Sequence, residues 1–140
     1  MKIPDEVKKM LMEQGLIFIA TSNRDGIPNV SPRTAYWLLD DETIAICDWF
    51  RHKTYWNWQE NNYMAIGVVD LESFTGWQLK GPCELITDPN TIKDLLRKVM
   101  TKPPHAQFNR TLQKVAGAYP PIVVKFRVEE IYSLAPKEEG

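Results

Sequence analysis

The chain has no basic excess: 17 Lys and Arg stand against 18 Asp and Glu, for a formal net charge of −1 and a pI near 6.1. Nucleic-acid binding draws its affinity from a local surplus of cations over phosphates, so no nucleic-acid partner is expected. No apolar run approaches the ~20 residues that cross a bilayer, so no membrane partner is expected either. The opening Met1-Lys2-Ile3-Pro4-Asp5-Glu6 leads into a charged amphipathic pattern unlike a signal peptide, and a cytoplasmic location is the expectation. Cysteine is scarce. Cys47 and Cys83 both sit in apolar runs, as buried reduced thiols do. His52 and His105 lie far apart with no clustered thiols beside them, so no metal site is expected. What remains is ordinary: 140 residues, 44% hydrophobic and 25% charged, the composition of one globular domain over residues 1–140.

Hydrophobic spacing places the elements. Pro4, Asp5 and Glu6 open a helix, Val7, Met10, Leu11 and Gln14 recur at its period, and Gly15 stops it. Leu16 to Thr21 reads as a strand ending in a tight turn at Asp25-Gly26. The chain returns as Asn29 to Leu39, and strict alternation would put Ser31, Arg33, Ala35 and Trp37 on one face. Thr43 to Asp48 is a third strand, a short helix follows to about Asn62, and Met64 to Asp70 is a buried fourth strand. Trp77 to Thr87 is a fifth, in which Gly81-Pro82 should force a bulge or an edge position. Asp88-Pro89 caps a helix with a stripe of Ile92, Leu95, Leu96 and Val99, a further helix carries Phe108 to Gly117, and Ile122 to Leu134 is a last strand that bends near Val128-Glu129-Glu130. The fold class is α+β, mainly β: an antiparallel six-stranded split β-barrel with flanking helices, since closure removes exposed sheet edges.

Chemistry concentrates in Arg51-His52-Lys53-Thr54-Tyr55-Trp56-Asn57-Trp58-Gln59, directly after a strand. A helix beginning here offers free N–H groups and the positive end of its dipole to an anion, and Lys53 adds a point charge. Ser31 and Arg33 supply a hydroxyl and a guanidinium from another strand, as a phosphate site requires. A solvated basic turn is the alternative. Of the five tryptophans, Trp49 and Trp77 are read as flanking a ligand, and Trp37, Trp56 and Trp58 as packing in the core or at a dimer interface.

Four segments carry a family resemblance: Ile19-Ala20-Thr21, Asp25-Gly26-Ile27-Pro28-Asn29-Val30-Ser31-Pro32, Lys53-Thr54-Tyr55-Trp56-Asn57 and Gly76-Trp77-Gln78-Leu79-Lys80-Gly81. Their order resembles the FMN-binding split-barrel proteins, the group related to pyridoxamine 5′-phosphate oxidase. The resemblance implies an FMN cofactor with Ser31, Pro32 and Arg33 along the ribityl phosphate and ring edge, and Asp48, Trp49, Phe50 and His52 beside the ring. It implies that Lys53 and Thr54 hold the phosphate, that Asn57 lies one helical turn on, and that Gln78 approaches the cofactor, in many members from the other subunit. A homodimer with FMN at the subunit interface follows, acting as an oxidoreductase or electron-transfer flavoprotein with NAD(P)H or a protein as electron donor. No catalytic residue is assigned. Ser133-Leu134-Ala135-Pro136 lacks the arginine of the oxidase's substrate-binding segment, which argues against vitamin B6 oxidation. The alternatives are a flavin-binding or storage protein without turnover, and a split barrel using a deazaflavin or haem.

Overall fold

A computed structural model describes residues 1–49, 51–100 and 120–136, with residues 98–100 described by their backbone alone. Phe50, His105, the expected helix from Phe108 to Gly117 and the last four residues lie outside them. In chain order the elements are α1 (Asp5–Gln14), β1 (Ile17–Ser22), β2 (Pro28–Arg33), β3 (Tyr36–Leu38), β4 (Thr43–Asp48), α2 (Lys53–Glu60), β5 (Tyr63–Asp70), β6 (Thr75–Ile86), α3 (Pro89–Met100), β7 (Ile122–Arg127) and β8 (Glu130–Ser133).

The strands form one curled antiparallel sheet in the order β2-β1-β5-β6-β7-β4-β3, with β8 added against β6. This is a mainly β split barrel with flanking helices, built from eight strands where six were expected. Two breaks account for the difference. The return strand stops at Arg33 and restarts as β3 against β4, and the last strand bends at Val128-Glu129 to give β7 and β8.

β6 joins the two halves of the sheet. Its first part pairs with β5, ending at Tyr63 opposite Pro82, and its second part pairs with β7 from Cys83 onward. Gly81 stands at the changeover, where a Cβ would meet the Arg127 carbonyl oxygen and come within 3.2 Å of the Glu129 nitrogen. The expected bulge is therefore a change of partner, with Pro82 at the last β5 register position where its missing N–H costs least.

Inward side chains, among them Ile17, Ile19, Tyr36, Ile44, Ile46, Ile66, Leu79 and Phe126, fill the barrel. α1 lies over this core through Val7 and Leu11, and the Tyr36 hydroxyl donates to the Leu11 carbonyl. Gly15 ends α1 in the left-handed region at φ 64°, where glycine carries no Cβ penalty. A second cluster of Ala35, Trp37, Ala45, Cys47, Trp49, Ile92 and Val123 lies on the opposite side of β4, beneath α3. The N-terminus of α3 is capped as expected, Asp88 Oδ2 accepting from the Thr91 nitrogen at 2.9 Å and its hydroxyl at 2.7 Å.

Candidate functional site

β1 and β2 pair with Ile19 opposite Ser31 and Thr21 opposite Asn29, so Asn29, Ser31 and Arg33 share the inward face of the sheet. α2 packs across that face. Thr54, in its first turn, is 2% exposed, and its hydroxyl receives Asn29 Nδ2 at 3.2 Å and meets Ser31 Oγ at 2.7 Å. One turn later Asn57 Nδ2 donates to Thr21 Oγ1 at 3.0 Å. The helix is thus bolted to the strands by side chains that were each expected at the site, together with Asn29 and Thr21.

The start of α2 stays open. His52 is the N-cap residue in extended conformation and makes no side-chain capping bond, so the first turn keeps the partial positive charge of a helix start. Lys53 is exposed beside them. A cleft of about 410 Å³ lies here, lined by Asn23, Ile27, Pro28, Asn29, Lys53, Trp56, Asn57 and Glu60. Glu60 is the acid in this lining, and its Oε2 accepts from the Arg24 backbone nitrogen at 2.9 Å. A lysine at the start of a helix and three asparagine amides line one opening, groups of the kind an oxyanion site uses.

A buried charge pair joins β2 to β4. Asp48, at the end of β4, is fully buried, and its Oδ1 lies 3.5 Å from Arg33 Nη2 at the end of β2. The same guanidinium donates through Nη1 to the Pro32 carbonyl at 3.1 Å. Neither Asp48 oxygen, nor Arg33 Nε, has a hydrogen-bond partner among the described residues. Burial lowers the Arg33 pKa from its ordinary value, with the Asp48 charge acting in the opposite sense.

The remaining residues divide. Trp49 is 4% exposed inside the second cluster. Arg51, at φ 54°, stacks over Tyr55 at 5.7 Å and donates to the Pro120 carbonyl at 2.8 Å. Trp58 is packed in the core, whereas Trp56 is 62% exposed and lines the cleft. Gln78 lies elsewhere. Pro32, Phe18, Gly67, Gln78 and Tyr132 form one row across β2, β1, β5, β6 and β8, on the sheet face opposite Ser31 and Arg33. Within one chain, then, Gln78 and Pro32 lie on the sheet face away from Ser31 and Thr54. Asn29, Thr21 and Trp56 were missed, although Asn29 could have been found two residues before Ser31 on the same strand face. Cys47 and Cys83 are free and buried, and burial raises both thiol pKa values to about 12, the Asp48 charge adding to the effect at Cys47.

Comparison with known proteins bears on the family and the fold. The family model described as pyridoxamine 5′-phosphate oxidase matches residues 3–135. An uncharacterised protein of Methanocaldococcus jannaschii is 34% identical over 94 residues, which span 66% of this chain and 62% of that relative. Among solved structures, HupZ of Group A Streptococcus superposes with a TM-score of 0.70 at 23% identity, covering 99% of this chain and 98% of that one. HutZ, the haem storage protein of Vibrio cholerae, gives 0.70 at 14% identity, covering 94% of each chain. At these identities the structural likeness speaks to the fold.

Proposed function

Since the chain belongs to the pyridoxamine 5′-phosphate oxidase family, we propose that it binds FMN and serves as an oxidoreductase or electron-transfer flavoprotein. The observation that carries this reading is the open start of α2. Lys53, the first residue of that helix, lines a cleft together with Asn29, and Asn29 and Ser31 are both hydrogen-bonded to Thr54 in the same first turn. That donor set fits a phosphate monoester, and Trp56 and Ile27 add apolar surface at the same mouth. FMN, when bound, supplies the hydride or electron chemistry. This chain's part is to hold the phosphate through Lys53 and α2, and to keep Asn57 in place through Thr21.

Gln78 and Pro32 enter this reading through a second copy of the chain. Their sheet face is largely apolar and open, with Phe18, Val30, Val69 and Tyr132 all more than two-fifths exposed. A homodimer joined there covers that face and brings the partner's copy of this row toward the cofactor. NAD(P)H or a protein is the electron donor. Free buried Cys47 and Cys83 fit a reducing, cytoplasmic setting.

Haem is the second reading, prompted by the fold shared with the haem storage protein. Among the described residues His52 alone offers an imidazole, exposed at the start of α2. A deazaflavin presents a similar tricycle and is told apart by its absorption. Titrating ligand-depleted protein with FMN and with riboflavin, followed by flavin fluorescence, tests the proposal. FMN should bind at least about tenfold more tightly, the value of roughly one charge-assisted contact. Equal affinities would remove the phosphate site.

A further inference from the structure

The buried Arg33–Asp48 pair is built unlike a carboxylate that orients a guanidinium. An orienting carboxylate grips through short, often paired N–H···O bonds of about 2.7–2.9 Å. Here the nearest approach is 3.5 Å, both Asp48 oxygens lack hydrogen-bond partners among the described residues, and Arg33 Nε is likewise without one. Such a pair is costly, because each desolvated charge is compensated mainly by the other. It also adjoins Ser31 along β2, and through Ser31 the first turn of α2. Arg33 shares the inward face of β2 with Ser31, whose hydroxyl meets Thr54, and two residues along a strand span about 6.6 Å, within the reach of an arginine side chain.

We propose that Asp48 is a resident anion that competes with the ligand's phosphate for Arg33, and so keeps a bound phosphate ester exchangeable. This rests on the phosphate-binding reading of the cleft. Arg33 turning wholly to the ligand would leave Asp48 buried and uncompensated, and Arg33 staying with Asp48 contributes little to the ligand. Either way Asp48 opposes the phosphate and not the flavin ring. It is a positioning residue that acts through Arg33, and it sets a ceiling on affinity.

The test is the ratio of FMN to riboflavin affinity, which a merely structural loss would lower or leave alone. Asp48→Asn should lower the Kd for FMN about tenfold, the scale of one charge–charge interaction at intermediate effective dielectric, with riboflavin within about twofold. A fall in FMN affinity relative to riboflavin, or no change in the ratio, overturns the proposal. If Asp48→Asn does not fold, the neutral pair Asp48→Asn with Arg33→Gln is compared with the unaltered protein. Its ratio should stay within about twofold, because an arginine held by Asp48 contributes little to the phosphate; a loss of about tenfold or more overturns the proposal. If the unaltered protein binds neither flavin, the FMN reading falls alone. Inorganic phosphate then decides: the Arg33 Nε–H signal in a proton–nitrogen correlation spectrum should move at lower phosphate concentration in Asp48→Asn, and the same or a higher concentration overturns the proposal.

Discussion

Thr54→Val removes one hydroxyl and keeps the side-chain shape. It deletes the partner of both Asn29 Nδ2 and Ser31 Oγ, at 3.2 and 2.7 Å, from a residue that is 2% exposed. Two net hydrogen bonds are worth about 1 kcal/mol each, and a polar group stranded in a dry site costs a further ~1–3 kcal/mol. Asn29 and Ser31 are only half-buried and recover part of this from water. The expected loss is therefore about 2–3 kcal/mol, read as a lower urea midpoint at unchanged m, since the surface exposed on unfolding is the same. Ser31→Ala alone should cost less. The double variant should be less destabilised than the sum by about 0.5–1 kcal/mol, because the second change removes a group already stranded. A Thr54→Val loss below about 0.5 kcal/mol would refute the claim that this hydroxyl fastens α2 to β2.

Lys53 is exposed, so Lys53→Ala should leave the urea midpoint unchanged while weakening FMN about tenfold and riboflavin by less than about twofold, measured by fluorescence titration. Gly81→Ala drives a Cβ into the Arg127 backbone and should cost more than about 3 kcal/mol or abolish folding, whereas Gly67→Ala, with nothing within 4 Å of its Cβ, should cost less than about 1 kcal/mol; expression and thermal melts compare them. Burial favours the neutral form of Cys47 and Cys83, so the native protein at pH 8 should resist a thiol reagent at both, and both should react in denaturant. Their contribution to stability is complete below the ordinary thiol pKa of 9 and is lost as pH rises from there toward about 12.

Local chemistry made the helix ends and turns legible. Asp88 caps α3, Gly15 closes α1, and Gly26 at φ 79° turns the first hairpin, each for a reason confined to a few residues. Alternation along β2 correctly put Ser31 and Arg33 together. It failed two residues later, because the chain breaks after Arg33 and carries Ala35 and Trp37 into the cluster beneath α3. Trp56 was readable in principle. In an eight-residue helix whose buried residues are Thr54 and Trp58, four apart, a residue midway between them points away from the core. Gln78 was not readable, because its sheet face depends on a register set by β5 and β8, and a slip of one residue reverses it. Nor was the Arg33–Asp48 pair, which joins the ends of two strands that are not neighbours in the sheet.

The FMN claim is met most directly by purifying the protein without added cofactor, recording its visible spectrum, and weighing what denaturation releases. Flavin absorption bands and a released mass equal to FMN are the predicted result. A colourless protein that fails to take up FMN, or a Soret band with haem released, would contradict it.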